Sequence, residues 1–261
     1  MPNRRKPRPS RFDVSGAQAP ARFSALNIRV PVKWVNTVIG VFLLPVAWIW
    51  TQTFFTVFSQ AVRQNFWATE EFWFFSLGAL LWVIAFFGLP RPVVFYVFGH
   101  ELTHAVWVWA MGGRVSKFKV GSDGGHIVTN KHNFWIALAP YFFPLYSMLV
   151  ILAYGVAGFF IHEMHPWHRW LLYGLIGGTW AFHITFTLWM IPKGQTDLSY
   201  HGTFFSLVVI YLMNLLVLTL FLMAASPRVT PRRFARVFYH EALDFSAWVR
   251  GWAEGSHGGH G

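Results

Sequence analysis

The chain has no cysteine and few charges. Without cysteine there are neither disulfides nor thiolate zinc ligands, so any zinc must be held by His, Asp, Glu or water. Charged residues make up 12% of the 261, against about 25% in soluble domains. Acidic residues are the scarcer sign, 10 Asp and Glu beside 21 Lys and Arg, for a formal charge of +11. In their place the chain is 55% hydrophobic and 20% aromatic, with a mean hydropathy of +0.41. That composition belongs to membrane proteins of several spans. The basic excess crowds into both tails and spares most apolar segments. It therefore points to anionic lipid headgroups and not to nucleic acid.

Residues 1–32 are rich in Pro, Ala, Ser and Arg and read as a disordered basic tail. Arg4-Arg5 does not start a signal peptide, because the first apolar segment, from Trp34, is too long for a signal core. Six apolar segments follow: 34–58, 72–89, 92–111, 134–161, 170–191 and 204–225. Each is close to the ~20 residues that cross a bilayer as helix, with Trp and Tyr near the ends as interfacial anchors. The expectation is an all-α polytopic membrane protein of about six transmembrane helices over 33–226. Residues 227–261 are expected to form a basic amphipathic C-terminal helix, interfacial or packed on the bundle, and a flexible tail, because Phe234, Phe238, Phe245, Trp248 and Trp252 recur at near-helical spacing. With six crossings, the positive-inside rule puts both tails in the cytoplasm and the loop at 112–133 outside.

That loop predicts a short β-hairpin. Phe118 and Val120 alternate with Lys117 and Lys119 after Val115, and a Gly-rich turn at 121–125 precedes His126 to Thr129. His126 and His132 flank it and are read as solvated.

The chemistry is concentrated in His100-Glu101-Leu102-Thr103-His104, inside the third apolar segment. On a helix, HExxH puts two imidazoles on one face, as two ligands of a tetrahedral zinc site need, with a Glu beside them as general base. Ionisable groups at membrane depth are costly, which favours a functional reading. A catalytic zinc takes a third protein ligand. Asp197 is the first choice, because Pro192 and Gly194 should unwind the chain before it and let a carboxylate turn inward. A loop position or a helix cap would also explain Asp197. His183, in the middle of the fifth segment, is the other candidate; it suits a substrate or oxyanion contact, or a buried hydrogen-bonded His. His162-Glu163-Met164-His165 has the wrong spacing, and His240-Glu241 to Asp244 reads as a solvated helix face.

These residues resemble the site-2 protease family of intramembrane zinc metalloproteases (the M50 peptidases), especially its compact bacterial branch. The likeness runs over HELTH at 100–104, Gly112-Gly113-Arg114, Gly124-Gly125-His126, Leu138-Ala139-Pro140-Tyr141 and Gln195-Thr196-Asp197-Leu198. It spans about 92–225, roughly half the chain. Departures are Leu198 where a Gly often follows the Asp, no preceding Asn-Pro element, and Ala139-Pro140 for a Gly-Pro pair. The family's hairpin faces the cytoplasm, opposite to the charge count above.

The resemblance implies a bacterial inner-membrane protease. Its Zn2+ would be held by His100, His104 and Asp197, and Glu101 would move the proton of the attacking water. Its substrate would be a membrane protein whose unwound segment pairs with the hairpin strand through Val115, Lys117, Phe118, Lys119 and Val120. Two other readings remain: a catalytically silent scaffold or accessory subunit of the same fold, and an electron-transfer protein with haem between His100 or His104 and His183.

Overall fold

The computed structural model describes residues 32–121, 124–161, 163 and 165–255. The N-terminal tail to residue 31, Ser122 and Asp123 of the expected turn, His162, Met164 and the 256–261 end lie outside the described residues. The elements in chain order are α1 (Val32–Arg63), α2 (Glu70–Gly88), α3 (Val93–Ala110), β1 (Val115–Gly121) and β2 (Gly124–Thr129). Then come α4 (Phe134–Phe142), α5 (Leu145–Phe160), α6 (Pro166–Met190), α7 (Thr196–Tyr200), α8 (Thr203–Ala225) and α9 (Pro231–Gly255).

Four helices, α1, α2, α6 and α8, are long and apolar enough to cross a membrane, and α4 with α5 makes a fifth candidate bent by 75°. Against the expected six, the described residues thus hold four candidate spans, or five with the bent pair. The segment at 92–111 is helical as expected, but its own His, Glu and Thr residues dilute its hydropathy, and it is not among the candidate spans. Its ends also lie at the same end of the bundle. Arg91, just before α3, lies over the rings of Phe86 and Trp189 near the ends of α2 and α6. At the far end of α3, Asn133 Nδ2 lies 3.1 Å from Met111 Sδ, and the neighbouring His132 stacks on His201. The His201 carbonyl in turn accepts from Asn36, near the start of α1, at 2.7 Å. Asn36 lies beside His201 and Trp50 beside Thr219, so α1 and α8 run parallel, and the start of α1 and the end of α8 lie at opposite ends of the bundle.

The helix between 134 and 161 breaks because Pro140 and Pro144 remove two donors from its ladder. The closest packing is between α2 and α6, which run parallel: Arg169 pairs with Glu70 at 3.6 Å, and Tyr173 donates to Glu71 at 3.3 Å. A Cβ on Gly78 would collide with the Gly174 carbonyl oxygen, and one on Gly177 with that of Phe75. Small residues at such contacts are how helices approach closely in lipid, where the hydrophobic effect does not drive them together. On α9, Phe234 joins a cluster with Val57, Ala61, Leu222 and Val229. Glu241, expected on a solvated face, instead accepts from Thr56 at 2.9 Å. Beyond Phe245 the helix leaves the bundle and exposes Trp248 and Trp252.

Candidate metal centre

Three elements distant in sequence converge on one buried point. The two histidines lie four residues apart on one face of α3, which carries them inside the bundle: His100 is 5% exposed, His104 1% and Glu101 1%. Asp197, fully buried at 0%, arrives on α7. As Pro192 and Gly194 predict, α6 ends at Met190, a short 3-10 turn spans Ile191–Lys193, and Gly194 takes φ 73° before the chain re-enters as α7. One donor atom from each of His100, His104 and Asp197 lies within 4.8 Å of the others. Asp197 Oδ2 is 3.4 Å from His100 Nε2 and 3.7 Å from His104 Nε2. A tetrahedral zinc with bonds of ~2.0–2.1 Å separates its ligand atoms by about 3.3 Å, close to both His–Asp spacings here.

Each donor is oriented by a partner behind it. His104 Nδ1 donates to the Ile136 carbonyl at 2.7 Å, which leaves Nε2 turned to the centre. That carbonyl is available because its helical donor would be the N–H of residue 140, and Pro140 has none. The start of α4 is set by Asn133, whose Oδ1 accepts from Ile136 N at 2.9 Å. Behind His100, Tyr96 Oη lies 3.2 Å from Nδ1, and the Tyr96 ring stacks on Phe186 at 4.8 Å. Tyr141 donates to Asp197 Oδ2 at 3.2 Å. Where α4 breaks, the Tyr141 carbonyl accepts from Asn214 Nδ2 on α8 at 2.9 Å. Partners of this kind fix tautomer and ring direction at metal sites.

The two candidates for third ligand separate. His183 stands against the Tyr141 carbonyl and Asn214, and is not in the group that could hold a metal. It lines a narrow cavity beside His100, together with Tyr96, Thr103, Tyr146 and Phe182.

The hairpin forms as expected, antiparallel with Phe118 opposite Ile127 and Lys119 opposite His126, and with a bulge between Val115 and Lys117. Its strands lie against α3. A Cβ on Gly125 would stand 2.6 Å from Glu101 Cγ, so only glycine lets β2 approach the Glu this closely. Ser116 to Lys119 on β1 are exposed, while Val120 packs toward Tyr96 and Val97.

Sequence reading missed several members. Tyr96 lies four residues before His100, a helical neighbour position that carried a signal. Asn214 is an amide inside an apolar span, another available signal. His132, expected to be solvated, is half-buried in a stack with His201, because α7 folds back over the start of α4. Comparison with protein-family models, with curated proteins and with solved structures finds no match.

Proposed function

We propose that the protein is an intramembrane zinc metalloprotease of the site-2 protease kind, hydrolysing peptide bonds of membrane-embedded substrates. The observation that carries this reading is the convergence of His100, His104 and Asp197 beside a buried Glu101 in a chain of several apolar helices. His100 and His104 both turn Nε2 to Asp197 and not across to His183, which favours hydrolysis over a haem held between helices.

Zinc bound at this centre would supply a water of lowered pKa and polarise the scissile carbonyl. The chain's own residues do the rest. Glu101, next to the ligands on α3, takes the proton from the attacking water and delivers it to the leaving amine. His183, across the small cavity from His100, contacts the substrate carbonyl side. The apolar walls of Phe182 and Phe143 limit bulk water. A helical substrate must unwind before attack, and the exposed edge of β1 offers backbone donors and acceptors to the opened segment.

In this reading α1, α2, the bent α4–α5 pair, α6 and α8 make five crossings, α3 makes none, and the orientation follows. The end that holds the start of α1, the hairpin, Arg91 and Lys193 collects 14 of the 21 Lys and Arg. By the positive-inside rule that end is cytoplasmic, and α9 lies on the opposite face. The hairpin and the metal centre then face the cytoplasm, and the conflict between charge count and family resemblance disappears once α3 no longer counts as a span.

The test compares wild type with Glu101→Gln, reconstituted in liposomes with single-span substrates bearing a helix-breaking residue. The reading expects about one zinc per chain in both proteins and cleavage in wild type alone. Full zinc without cleavage of any substrate would turn the reading to a silent scaffold. Equal cleavage by both would remove Glu101 from the chemistry.

A further inference from the structure

Two elements that build the buried centre each carry another histidine one step away. His201 follows Asp197 by four residues at the end of α7, and His132 precedes Ile136 by four at the entrance to α4. Their rings are parallel within 6°, with centroids 5.6 Å apart. Tyr200 stands edge-on to His132 at 4.7 Å, and Phe134 to His201 at 6.3 Å. His132 lies within electrostatic reach of both Asp197 and His104. His201 Nε2 is buried and makes no hydrogen bond among the described residues. The pair thus sits over the centre, at the end of the bundle where α1 begins.

We infer that His132 and His201 form a second, transient site for a divalent cation, through which metal reaches the buried centre. The inference rests on reading His100, His104 and Asp197 as that centre. These three are nearly sealed, whereas an arriving ion is hydrated and has to exchange waters for protein donors on the way. Imidazole nitrogens suit zinc and its neighbours in the transition series. Two imidazoles on one ion, with bonds of ~2.0–2.1 Å, bring their ring centroids to about 5 Å. The observed 5.6 Å is close to that spacing, and binding would turn the parallel rings so that one nitrogen of each meets the shared ion. Burial pushes the imidazole pKa of both residues below its ordinary value, which keeps them neutral and able to ligate. Two protein donors completed by water hold a cation weakly, and a transfer site has to release what it binds.

A purely structural stack would be served equally well by phenylalanine, and the experiment uses that difference. Apo protein in detergent is mixed with Zn2+ buffered by a chromophoric chelator. The uptake rate and the final zinc content are read separately for wild type and for His132→Phe/His201→Phe. The expected result is unchanged final zinc with uptake slowed by about tenfold or more. In a second arm, a His100→Ala/His104→Ala background still binds Co2+ weakly with an absorption band from nitrogen ligation, and adding His201→Phe abolishes the band. Equal uptake rates in folded double-Phe protein overturn the inference, as does a background variant with no residual Co2+ band. If the double-Phe protein fails to fold, the second arm decides. A wild type that takes up no zinc refutes the buried centre itself, an outcome distinct from either of these.

Discussion

His104 donates to the carbonyl of Ile136 at 2.7 Å across the α3–α4 interface, and that carbonyl is free because the residue four positions on is Pro140. A helix defect in one element therefore aims a metal donor in another. The same α4 supplies the Tyr141 hydroxyl to Asp197, so this short helix supports two of the three donors.

Pro140→Ala restores an N–H that competes for the Ile136 carbonyl and straightens the helix. Loss of a supporting hydrogen bond behind a ligand weakens metal binding by about 10- to 100-fold. The expected result is a lower zinc affinity for Pro140→Ala in a chelator competition, with helix content retained. Unchanged affinity would show that His104 is oriented by packing alone.

Asp197→Ala and His183→Ala should behave differently. Asp197 provides one donor of three, so its removal strips most of the zinc from purified protein. His183→Ala keeps the metal and loses cleavage, in line with its place on the cavity wall. Elemental analysis of both variants decides, and the reverse pattern would make His183 the third ligand.

Gly125→Ala tests the hairpin's approach to Glu101, the proposed general base. A methyl there meets Glu101 Cγ at 2.6 Å, the Lys119 carbonyl oxygen at 2.8 Å and Val97 at 2.9 Å. Something must shift, and Glu101 is the flexible neighbour. A misplacement of about 1 Å at a catalytic group costs on the order of 100-fold in rate. Cleavage should fall by about that factor while zinc content stays at the wild-type level. Wild-type cleavage would mean that the hairpin, not Glu101, gives way.

How much of this was legible in the sequence varies with the range of the interaction involved. HExxH, the Pro192–Gly194 break and the hairpin alternation are local patterns, and each appears where the pattern put it. Of the six expected spans, α3 falls outside the candidates because His100, Glu101, Thr103 and His104 lower the hydropathy of a segment that has a span's length. That both ends of α3 lie near one end of the bundle shows only in contacts between residues distant in sequence. The break at Phe143 was signalled by two prolines, yet a run of apolar residues across 134–161 hid it. Partners such as Asn214 behind Tyr141 are separated by 73 residues, and no spacing rule reaches that far.

The lack of cysteine makes the topology directly measurable, since any introduced thiol is the only one in the chain. Lys117 lies on the exposed strand β1, at the end where α1 begins, and Arg250 lies on the exposed part of α9, which starts at the other end. Five crossings put these positions on opposite faces of the membrane, whereas six put the hairpin outside and both tails inside. With a membrane-impermeant maleimide on intact cells, Arg250→Cys should label at once and Lys117→Cys only after permeabilisation. Each variant is checked for wild-type zinc content, so that mislabelling from misfolded protein is excluded. Labelling of Lys117→Cys in intact cells, with Arg250→Cys protected, would restore the six-span arrangement and require α3 to cross.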